Sequence, residues 1–378
     1  MPDIEPPRRP RSSLPRLVMH GYFGLACGIG VHTVNLANAL ARRRPLLRYS
    51  NLLPLSRQAT AIQAIRRRAA AGGSFLQMAT NPPDYWPLLR KLPGPAIGFV
   101  AWESTRLPAS WEPGLAAVDR IWVPSHWGRE VMIAAGIAPE RIDVVPEGVD
   151  TTVFRPDGPR LEWLAADPRP KFLTVGKFET RKCSRELINA FCEEFQAGEA
   201  VLVVSANNRA SLRADPGLLA RAVAGREDRV MVVDWLDSPA DLAALYRSCD
   251  AFVLPTRGEG WGLPITEAMA SGLPVIITGY SAPLDYAHAG NALLLPYHLV
   301  VAASQTYAFG HWAQPDFAAL RARMRWLLTH RDQGRALGAA AAREMAGRWT
   351  WDHAAARADA LMTGLGLTGT PPAAPARS

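Results

Sequence analysis

Short apolar runs alternate with helical stretches along most of the chain, and this alternation restricts the fold more than any other feature. In the first half the runs are RLVMHGYF (16–23), SFLQMAT (74–80), AIGFVAW (96–102), RIWVPS (120–125) and IDVVPEG (142–148). In the second half they are KFLTVGKF (171–178), AVLVVSAN (200–207), RVMVVDWL (229–236), AFVLPT (251–256), PVIITG (274–279) and ALLLPY (292–297). Runs that are apolar on both sides are typical of parallel strands covered by helices, so the sequence predicts an α/β fold.

The chain is long enough for two such units. A single core for 378 residues would be unusually large, and a proline-rich stretch at 154–171 interrupts the alternation near the middle. We therefore predict two Rossmann-like, doubly wound parallel-sheet domains that face a cleft, one over 1–160 and one over 161–348. After about residue 315 the pattern is only helical, and the stretch 367–378 is predicted to be disordered.

The net charge of +8 is concentrated in basic runs early in the chain, at 8–11, 41–48 and 65–70. Such runs can contact an anionic membrane, or they can be solvated helix ends. Zinc-finger spacings and basic–aromatic motifs are absent, so we expect no nucleic-acid partner. No apolar run has transmembrane length, no signal-peptide pattern is present, and the four cysteines form no C-x-x-C pair. We expect a cytoplasmic protein, with peripheral contact to the inner face of the membrane left open.

Several motifs of metal and cofactor enzymes do not occur in the sequence. The P-loop, H-E-x-x-H and G-x-S-x-G are missing, and so is Asp-x-Asp, the usual carboxylate pair for a metal–diphosphate. Gly364, Gly366 and Gly369 satisfy G-x-G-x-x-G, but no strand precedes them and a proline-rich tail follows, so this is a chance match. We expect neither a metal nor a cofactor.

The stretch RGEGWGLPITEAMASGLP (257–274) reads as a glycine-rich loop between a strand and a helix that starts near Pro264. The N-terminus of such a helix has free N–H groups and a partial positive charge, which favour an anion. The loop glycines would let the backbone approach a ligand closely. Glu259 lies in the loop at the carboxyl end of the strand, where α/β sheets bind ligands. Glu267 falls in the first helical turn, where a carboxylate also stabilises a helix without any ligand.

A second strand–loop–helix stretch, TVGKFETRKCSRELINAF (174–191), carries Lys177, Arg181 and Lys182 in front of a helix that starts near Ser184. Cations at a helix N-terminus oppose the helix dipole and repel one another, and a bound diphosphate would relieve this conflict. The alternative is three solvated cations in an exposed loop. In either case, replacing Lys182 by alanine should leave the stability of the fold almost unchanged.

The combination of G-K-x-x-x-x-K with a downstream E-x7-E resembles the retaining GT-B glycosyltransferases of glycosyltransferase family four. Segments in the family's order extend the resemblance over nearly the whole chain: CGIGVHTVNLANAL (27–40), VDRIWVPSHWGREVMIAAGI and IDVVPEGVDTTVFRP (within 118–156), LAALYRSCDAFVLPTRGEGWGLPITEAMASGLPVI (242–276) and RWTWDHAAARADAL (348–361). The resemblance implies a metal-independent hexosyltransferase whose donor is a nucleotide-diphosphate sugar. It also implies that the last helix, 349–366, crosses back to the first domain.

The resemblance further implies roles for single residues. Glu259 would hydrogen-bond hydroxyls of the donor sugar, and Glu267, as an ionised carboxylate, would hold the ribose hydroxyls. Lys177 and Lys182 would neutralise the departing diphosphate, with Arg181 as a further donor contact. The other implied donor contacts are loop residues of the two domains: Gly260, Trp261, Gly262 and Leu263 in the second, and Gly28 and Gly30 in the first.

The chain departs from the family at the end of the strand GFVAWEST (98–105), where many relatives have a histidine and this sequence has Trp102 and Glu103. Glu103 either orients or deprotonates the acceptor, or it is a buried structural carboxylate. Cys183 occupies a position at which members of this family frequently have a glycine. His126 is interpreted as a residue of a helix start rather than as a catalyst.

We expect the acceptor to be a glycan or a lipid-linked sugar in surface polysaccharide synthesis. Two other functions stay open at this point. One is a catalytically inactive subunit that binds a nucleotide sugar, and the other is an epimerase or phosphorylase with the same fold.

Overall fold

Two parallel sheets form the centre of the structure, as the alternation predicts. The computed structural model describes residues 15–24, 27–50, 75–206, 217–234, 236, 238–303 and 309–364. The strands of the first sheet are β1 (Arg16–Gly21), β2 (Leu46–Ser50), β3 (Phe75–Ala79), β4 (Ala96–Phe99), β5 (Arg120–Val123) and β6 (Ile142–Val144), in the order β2-β1-β3-β4-β5-β6. All neighbouring pairs are parallel.

The second sheet has the same size and a Rossmann-type order. Its strands are β7 (Lys171–Gly176), β8 (Val201–Ala206), β9 (Val230–Val233), β10 (Ala251–Leu254), β11 (Val275–Thr278) and β12 (Leu293–Leu295), in the order β12-β11-β10-β7-β8-β9. These pairs are parallel as well. The prediction of an α/β fold with two doubly wound sheets is confirmed, while the exact domain boundaries stay predictions.

Helices cover the sheets on both sides. They are α1 (Gly28–Ala41), α2 (Glu112–Leu115), α3 (His126–Ala134), α4 (Glu162–Ala165), α5 (Ser184–Glu194), α6 (Leu218–Val223), α7 (Pro239–Arg247), α8 (Leu263–Ala270), α9 (Phe317–Thr329), α10 (Arg331–Arg348) and α11 (Trp351–Gly364). Local sequence fixes several of the starts. Ser125 caps α3, Ser238 caps α7 and Asp316 caps α9, each by accepting backbone N–H bonds.

A short antiparallel hairpin lies outside both sheets, and the sequence patterns did not predict it. It consists of β13 (Tyr297–Val301) and β14 (His311–Pro315). The hairpin belongs to the second half of the chain but contacts the first. The Oγ of Ser104 donates to the carbonyl of Phe309 at 2.7 Å, and the N–H of His311 donates to the Oγ1 of Thr105 at 2.8 Å.

The last helix returns to the first sheet. Trp351, Ala355 and Met362 of α11 pack with Leu17 and Leu36 in one buried cluster over this sheet. The chain crosses between the domains twice, and the crossings meet where the N–H of Val149 donates to the carbonyl of Trp349 at 2.8 Å. This arrangement agrees with the predicted crossing of the final helix.

Two arginines of the basic run 41–48 form ion pairs with the same helix. Arg42 pairs with Asp352 at 2.5 Å, and Arg44, whose side chain is buried, pairs with Asp359. Arg44 is therefore not part of a solvated helix end, and both arginines connect the end of α1 to α11. The basic runs 8–11 and 65–70 and the stretch 367–378 lie outside the described residues.

Candidate functional site

The two motifs of the second domain meet at one edge of its sheet. β7 and β10 are neighbours, and the chain continues from β7 to one side of the sheet and from β10 to the other. Such a switch point leaves a crevice at the carboxyl ends of the strands, where ligands bind in doubly wound sheets. The loop 177–183 follows β7 and the loop 255–262 follows β10, so both motifs open into this crevice.

Glu259 lies at the centre of a buried ionic cluster. Its Oε1 accepts a hydrogen bond from the Nζ of Lys182 at 2.6 Å and one from the guanidinium of Arg181 at 3.2 Å. Burial raises the pKa of Glu259, but the charges of Lys182 and Arg181 and the hydrogen bonds outweigh it, so the pKa lies below its ordinary value. The carboxylate is thus ionised at neutral pH.

The burial of the two cations contradicts one of our readings of this loop. Arg181 and Lys182 are each 7% exposed, whereas Lys177 is exposed. The interpretation as three solvated cations is therefore wrong for Arg181 and Lys182. Burial lowers the pKa of Lys182, and the neighbouring carboxylate of Glu259 reduces this effect. Because Lys182 lies in a buried ion pair, its removal must also affect stability, contrary to the sequence-based expectation.

The side chain and backbone of Arg257 fasten the two loops together. The N–H of Arg257 donates to the carbonyl of Arg181 at 2.7 Å, and its guanidinium bonds Thr180 and Glu186. Cys183 adopts a left-handed conformation with φ of 52°, which ends the turn that carries Lys182 and begins α5. These contacts fix the position of the cations before any ligand is present.

The loop glycines have a role that the sequence did not predict, in addition to the predicted approach to a ligand. A Cβ at Gly258 would lie 2.6 Å from the carbonyl oxygen of Glu103, and one at Gly260 would lie 2.7 Å from the Cβ of Ala101. Both glycines therefore allow the first domain to pack closely against this loop. Gly262, with φ of 99°, provides the left-handed turn that starts α8.

Glu103 faces the same cluster from the first domain. Its Oε1 is 3.9 Å from the guanidinium of Arg181, and its side chain is 21% exposed. The adjacent Trp102 is buried, donates its Nε1–H to the carbonyl of Arg106 at 2.8 Å and stacks on Phe309. Of the two residues at the position of the family's histidine, Glu103 is therefore the one that lies at the cleft, while Trp102 is a packing residue.

Glu267 is buried in a different environment. It is the fifth residue of α8, beyond the first turn, and its Oε2 accepts a hydrogen bond from the hydroxyl of Tyr246 at 3.0 Å. Burial raises the pKa of Glu267 to about 8, against the opposing effect of this hydrogen bond. The raised pKa favours the protonated form at neutral pH when no ligand is bound, whereas the predicted contact to ribose hydroxyls calls for the ionised form.

The other predicted residues lie around these groups. The Trp261 side chain is buried against Tyr286 and Trp349, so only its backbone belongs to the crevice loop. Gly28 begins α1 with open space around it, and Gly30 permits a close contact with the carbonyl of Gly24. Leu263 is the first residue of α8. His126 is the first residue of α3, as predicted, and its N–H and ring bond Asp285 of the second domain.

Three residues near the site were not singled out from the sequence: Arg257, Tyr246 and Ser281. The Oγ of Ser281 accepts the N–H of Glu259 at 3.0 Å, and its backbone has φ of 62°. A serine with positive φ is strained and persists where its surroundings fix it. No sequence motif points to Tyr246 or Ser281, because they lie outside the motif loops, Tyr246 on α7 and Ser281 after β11.

Two kinds of feature are absent from the part of the chain that the structure describes. No cluster of three or more His, Cys, Asp or Glu side chains suited to a metal ion was found there. Within the same residues, none of the helices combines the length and apolarity that a membrane crossing needs.

Comparison with known proteins agrees with this geometry. Residues 169–307 match the profile of the family described as glycosyl transferases group 1. A D-inositol 3-phosphate glycosyltransferase from Segniliparus rotundus is 31% identical over 236 residues, which cover 59% of this chain and 46% of the relative. The enzyme of the same name from Nocardia farcinica is 31% identical over 264 residues, covering 66% of this chain and 54% of the relative. The chain thus spans about half the length of these curated relatives.

Similar solved structures cover nearly the whole chain. A sucrose-phosphate synthase from Thermosynechococcus elongatus has a TM-score of 0.68 at 17% identity and covers 93% of this chain and 99% of its own. Anabaena HepE, solved with UDP-glucose, has a TM-score of 0.71 at 14% identity and covers 92% of this chain and 99% of its own. At such identities the likeness establishes the fold. Residues 169–307 therefore form a domain of the group 1 glycosyl transferases, and the chain as a whole has the two-domain GT-B fold.

Proposed function

We propose that the protein is a retaining glycosyltransferase that transfers a sugar from a nucleotide-diphosphate sugar to a glycan or lipid-linked acceptor. The observation that carries the proposal is the buried cluster of Glu259, Lys182 and Arg181 at the carboxyl ends of β7 and β10. A donor of this class carries neutral hydroxyls on its sugar and two negative charges on its diphosphate. An ionised carboxylate accepts from the hydroxyls, and adjacent cations attract the diphosphate.

Lys182 can serve the donor without leaving Glu259. An ammonium has three N–H donors, and the hydrogen bond of 2.6 Å to Glu259 occupies one of them. A second N–H can therefore reach a phosphate oxygen. Lys177 is exposed beside the buried cations and would add its charge from the solvent side. The free amides at the start of α8, from Gly260 to Leu263, would add dipoles of the same sign.

These groups would accelerate departure of the nucleotide diphosphate. As the bond from the sugar to phosphate breaks, negative charge grows on the leaving oxygen and positive charge on the sugar. Fixed cations and amides stabilise the leaving anion without reorganisation, because the hydrogen bonds of Arg257 and Arg181 already hold them in place. Glu103 would orient or deprotonate the acceptor hydroxyl from the opposite domain, and contact between the domains would exclude water.

Glu267 would bind the ribose of the nucleotide. The buried carboxyl accepts a hydrogen bond from the hydroxyl of Tyr246, and burial raises its pKa to about 8. A vicinal diol would supply two hydroxyl donors to it. Those donors favour the ionised form, so donor binding would ionise the group.

Two kinds of acceptor molecule are candidates. A glycan or lipid-linked sugar of surface polysaccharide synthesis is the candidate from the sequence. The names of the relatives at 31% identity favour a phosphorylated inositol instead. Incubation of the protein and donor with each acceptor in turn, followed by mass spectrometry of the products, distinguishes the two.

The location and the cofactor requirement are proposals too. We propose a cytoplasmic protein that needs no metal and no cofactor. Peripheral membrane contact now depends on the runs 8–11 and 65–70, because Arg42 and Arg44 of the run 41–48 are paired with α11. Binding to anionic vesicles that weakens with added salt would support this contact, and no binding at low salt would remove it.

A thermal-shift screen of UDP-, GDP- and ADP-sugars tests the donor assignment, since a ligand that binds the folded state raises Tm. The stabilising donor is then incubated with and without acceptors. Transfer to an acceptor supports the proposal. Donor binding without any turnover would favour an inactive binding subunit, and isomerisation of the donor without an acceptor would favour an epimerase.

A further inference from the structure

Tyr246 reaches Glu267 from a neighbouring helix. It lies near the end of α7, its side chain has no exposed surface, and its ring packs near Phe154 and Phe252. Its hydroxyl is 3.0 Å from the Oε2 of Glu267 and 3.2 Å from the carbonyl oxygen of Pro264. Both possible acceptors belong to α8, so the hydroxyl connects two helices at one point.

A phenylalanine would fill the same space without a polar group. A buried hydroxyl is costly unless it is hydrogen-bonded, so packing alone does not account for a tyrosine here. The phenol has one proton for two acceptors, and an ionised carboxylate accepts it more strongly than a carbonyl. The hydroxyl is therefore placed to fix the carboxylate of Glu267 whenever that group is charged.

We propose that Tyr246 is a positioning residue for the donor: its hydroxyl holds one carboxylate oxygen of Glu267, so that the other oxygen is presented to the vicinal diol of a ribose. This inference rests on the proposed role of Glu267 in binding the nucleotide. A glutamate side chain has three rotatable bonds, and without the tyrosine the carboxylate would have to be ordered by the ligand itself. The ordering cost would appear as weaker binding of ribose-containing ligands only.

The experiment compares two ligands that differ only in the diol. The nucleoside diphosphate among UDP, GDP and ADP that binds the wild type best is measured by calorimetry beside its 2′,3′-dideoxy analogue. For Tyr246→Phe we expect the affinity for the ribonucleotide to fall about 5- to 20-fold and that for the dideoxy analogue to stay unchanged. With the full donor, KM should rise by a similar factor while kcat changes little, as expected when binding is lost equally in ground and transition states.

Tyr286 provides a matched control. It is equally buried, and its hydroxyl donates to the carbonyl of Trp261 at 2.8 Å, in the same loop region but not to Glu267. Tyr286→Phe should not change the ratio of the two affinities. An equal loss for both ligands in Tyr246→Phe, or a loss for neither, would overturn the inference.

Glu267→Gln separates the inference from the function on which it rests. If this variant loses affinity selectively for the ribonucleotide but Tyr246→Phe does not, the role of Tyr246 fails and the ribose assignment stands. If Glu267→Gln shows no selective loss, the ribose assignment fails and the role of Tyr246 fails with it.

Discussion

Replacement of Lys182 by methionine should lower both the stability and the activity of the protein. The lysine side chain is 8% exposed and lies 2.6 Å from Glu259, so the variant leaves a buried carboxylate with Arg181 as its remaining charged hydrogen-bond partner in the described cluster. A hydrogen bond to a charged group contributes about 1.5–3 kcal/mol, and orphaning a buried charge costs about 3–5 kcal/mol. Because Arg181 remains, we expect a loss of about 2–4 kcal/mol.

The loss of stability is measurable by calorimetry or urea unfolding. At roughly 2–4 °C per kcal/mol for a domain of this size, Tm should fall by roughly 5–15 °C. The lost bond to the leaving diphosphate should lower turnover by about 10- to 150-fold at a temperature where the variant is folded. Affinity for the nucleoside diphosphate should fall, and affinity for the nucleoside should not.

Lys177→Ala is the matched control, because this lysine is exposed in the same loop. Its removal should change stability by no more than about 0.5 kcal/mol while still weakening diphosphate binding. The double variant Lys182→Met with Glu259→Gln removes both charges of the buried pair and should recover part of the lost stability. An unchanged Tm in Lys182→Met would refute the buried ion pair. Equal weakening of nucleoside and diphosphate binding would refute the phosphate contact.

Four further predictions concern chemistry, closure and pH. The first glycosylated product should keep the anomeric configuration of the donor by NMR, and an inverted product would exclude the retaining mechanism. Turnover should survive EDTA, since Asp-x-Asp is absent from the sequence, and a loss that Mg²⁺ restores would contradict this. Gly260→Ala should lower turnover, because the new Cβ would lie 2.7 Å from that of Ala101, whereas Gly347→Ala, with open space around it, should not. Burial lowers the pKa of His20 from 6.5 to about 4, so the unfolded chain binds a proton at this histidine before the folded protein does. The free energy of unfolding should therefore fall as the pH is lowered from 6.5 to 4, by at most about 1.4 kcal/mol per pH unit. An equally steep fall in His20→Gln would contradict this assignment.

The sheets could be predicted from the sequence because their strands are buried on both faces. Each predicted run coincides with a strand, and parallel pairing follows from the helices between them. β2 was missed because it follows directly on the arginines of the run 41–48, which dominate that stretch. The hairpin was missed because β13 is largely exposed and because β14 is held by hydrogen bonds to Thr105 and Arg257, which are distant in the sequence.

The candidate site could be predicted only in part. The motifs placed Glu259 and Lys182 in loops at strand ends, and the strand order brings those loops together. Their direct contact and burial depend on tertiary packing that no local pattern contains. The same holds for the protonation of Glu267, which depends on how deeply α8 is buried, and for Tyr246, which lies on another helix.

The return of α11 to the first sheet has a consequence for the order of events during synthesis. The ion pair of the buried Arg44 and the half-buried Asp359 joins residues that are 315 positions apart, and Trp351, Ala355 and Met362 complete a cluster that begins with Leu17. At 5–20 residues per second, a ribosome needs roughly 15–60 s to synthesise the chain between Arg44 and Asp359. Throughout that time the apolar side of α1 lacks its cover, so the first domain emerges early but is completed last.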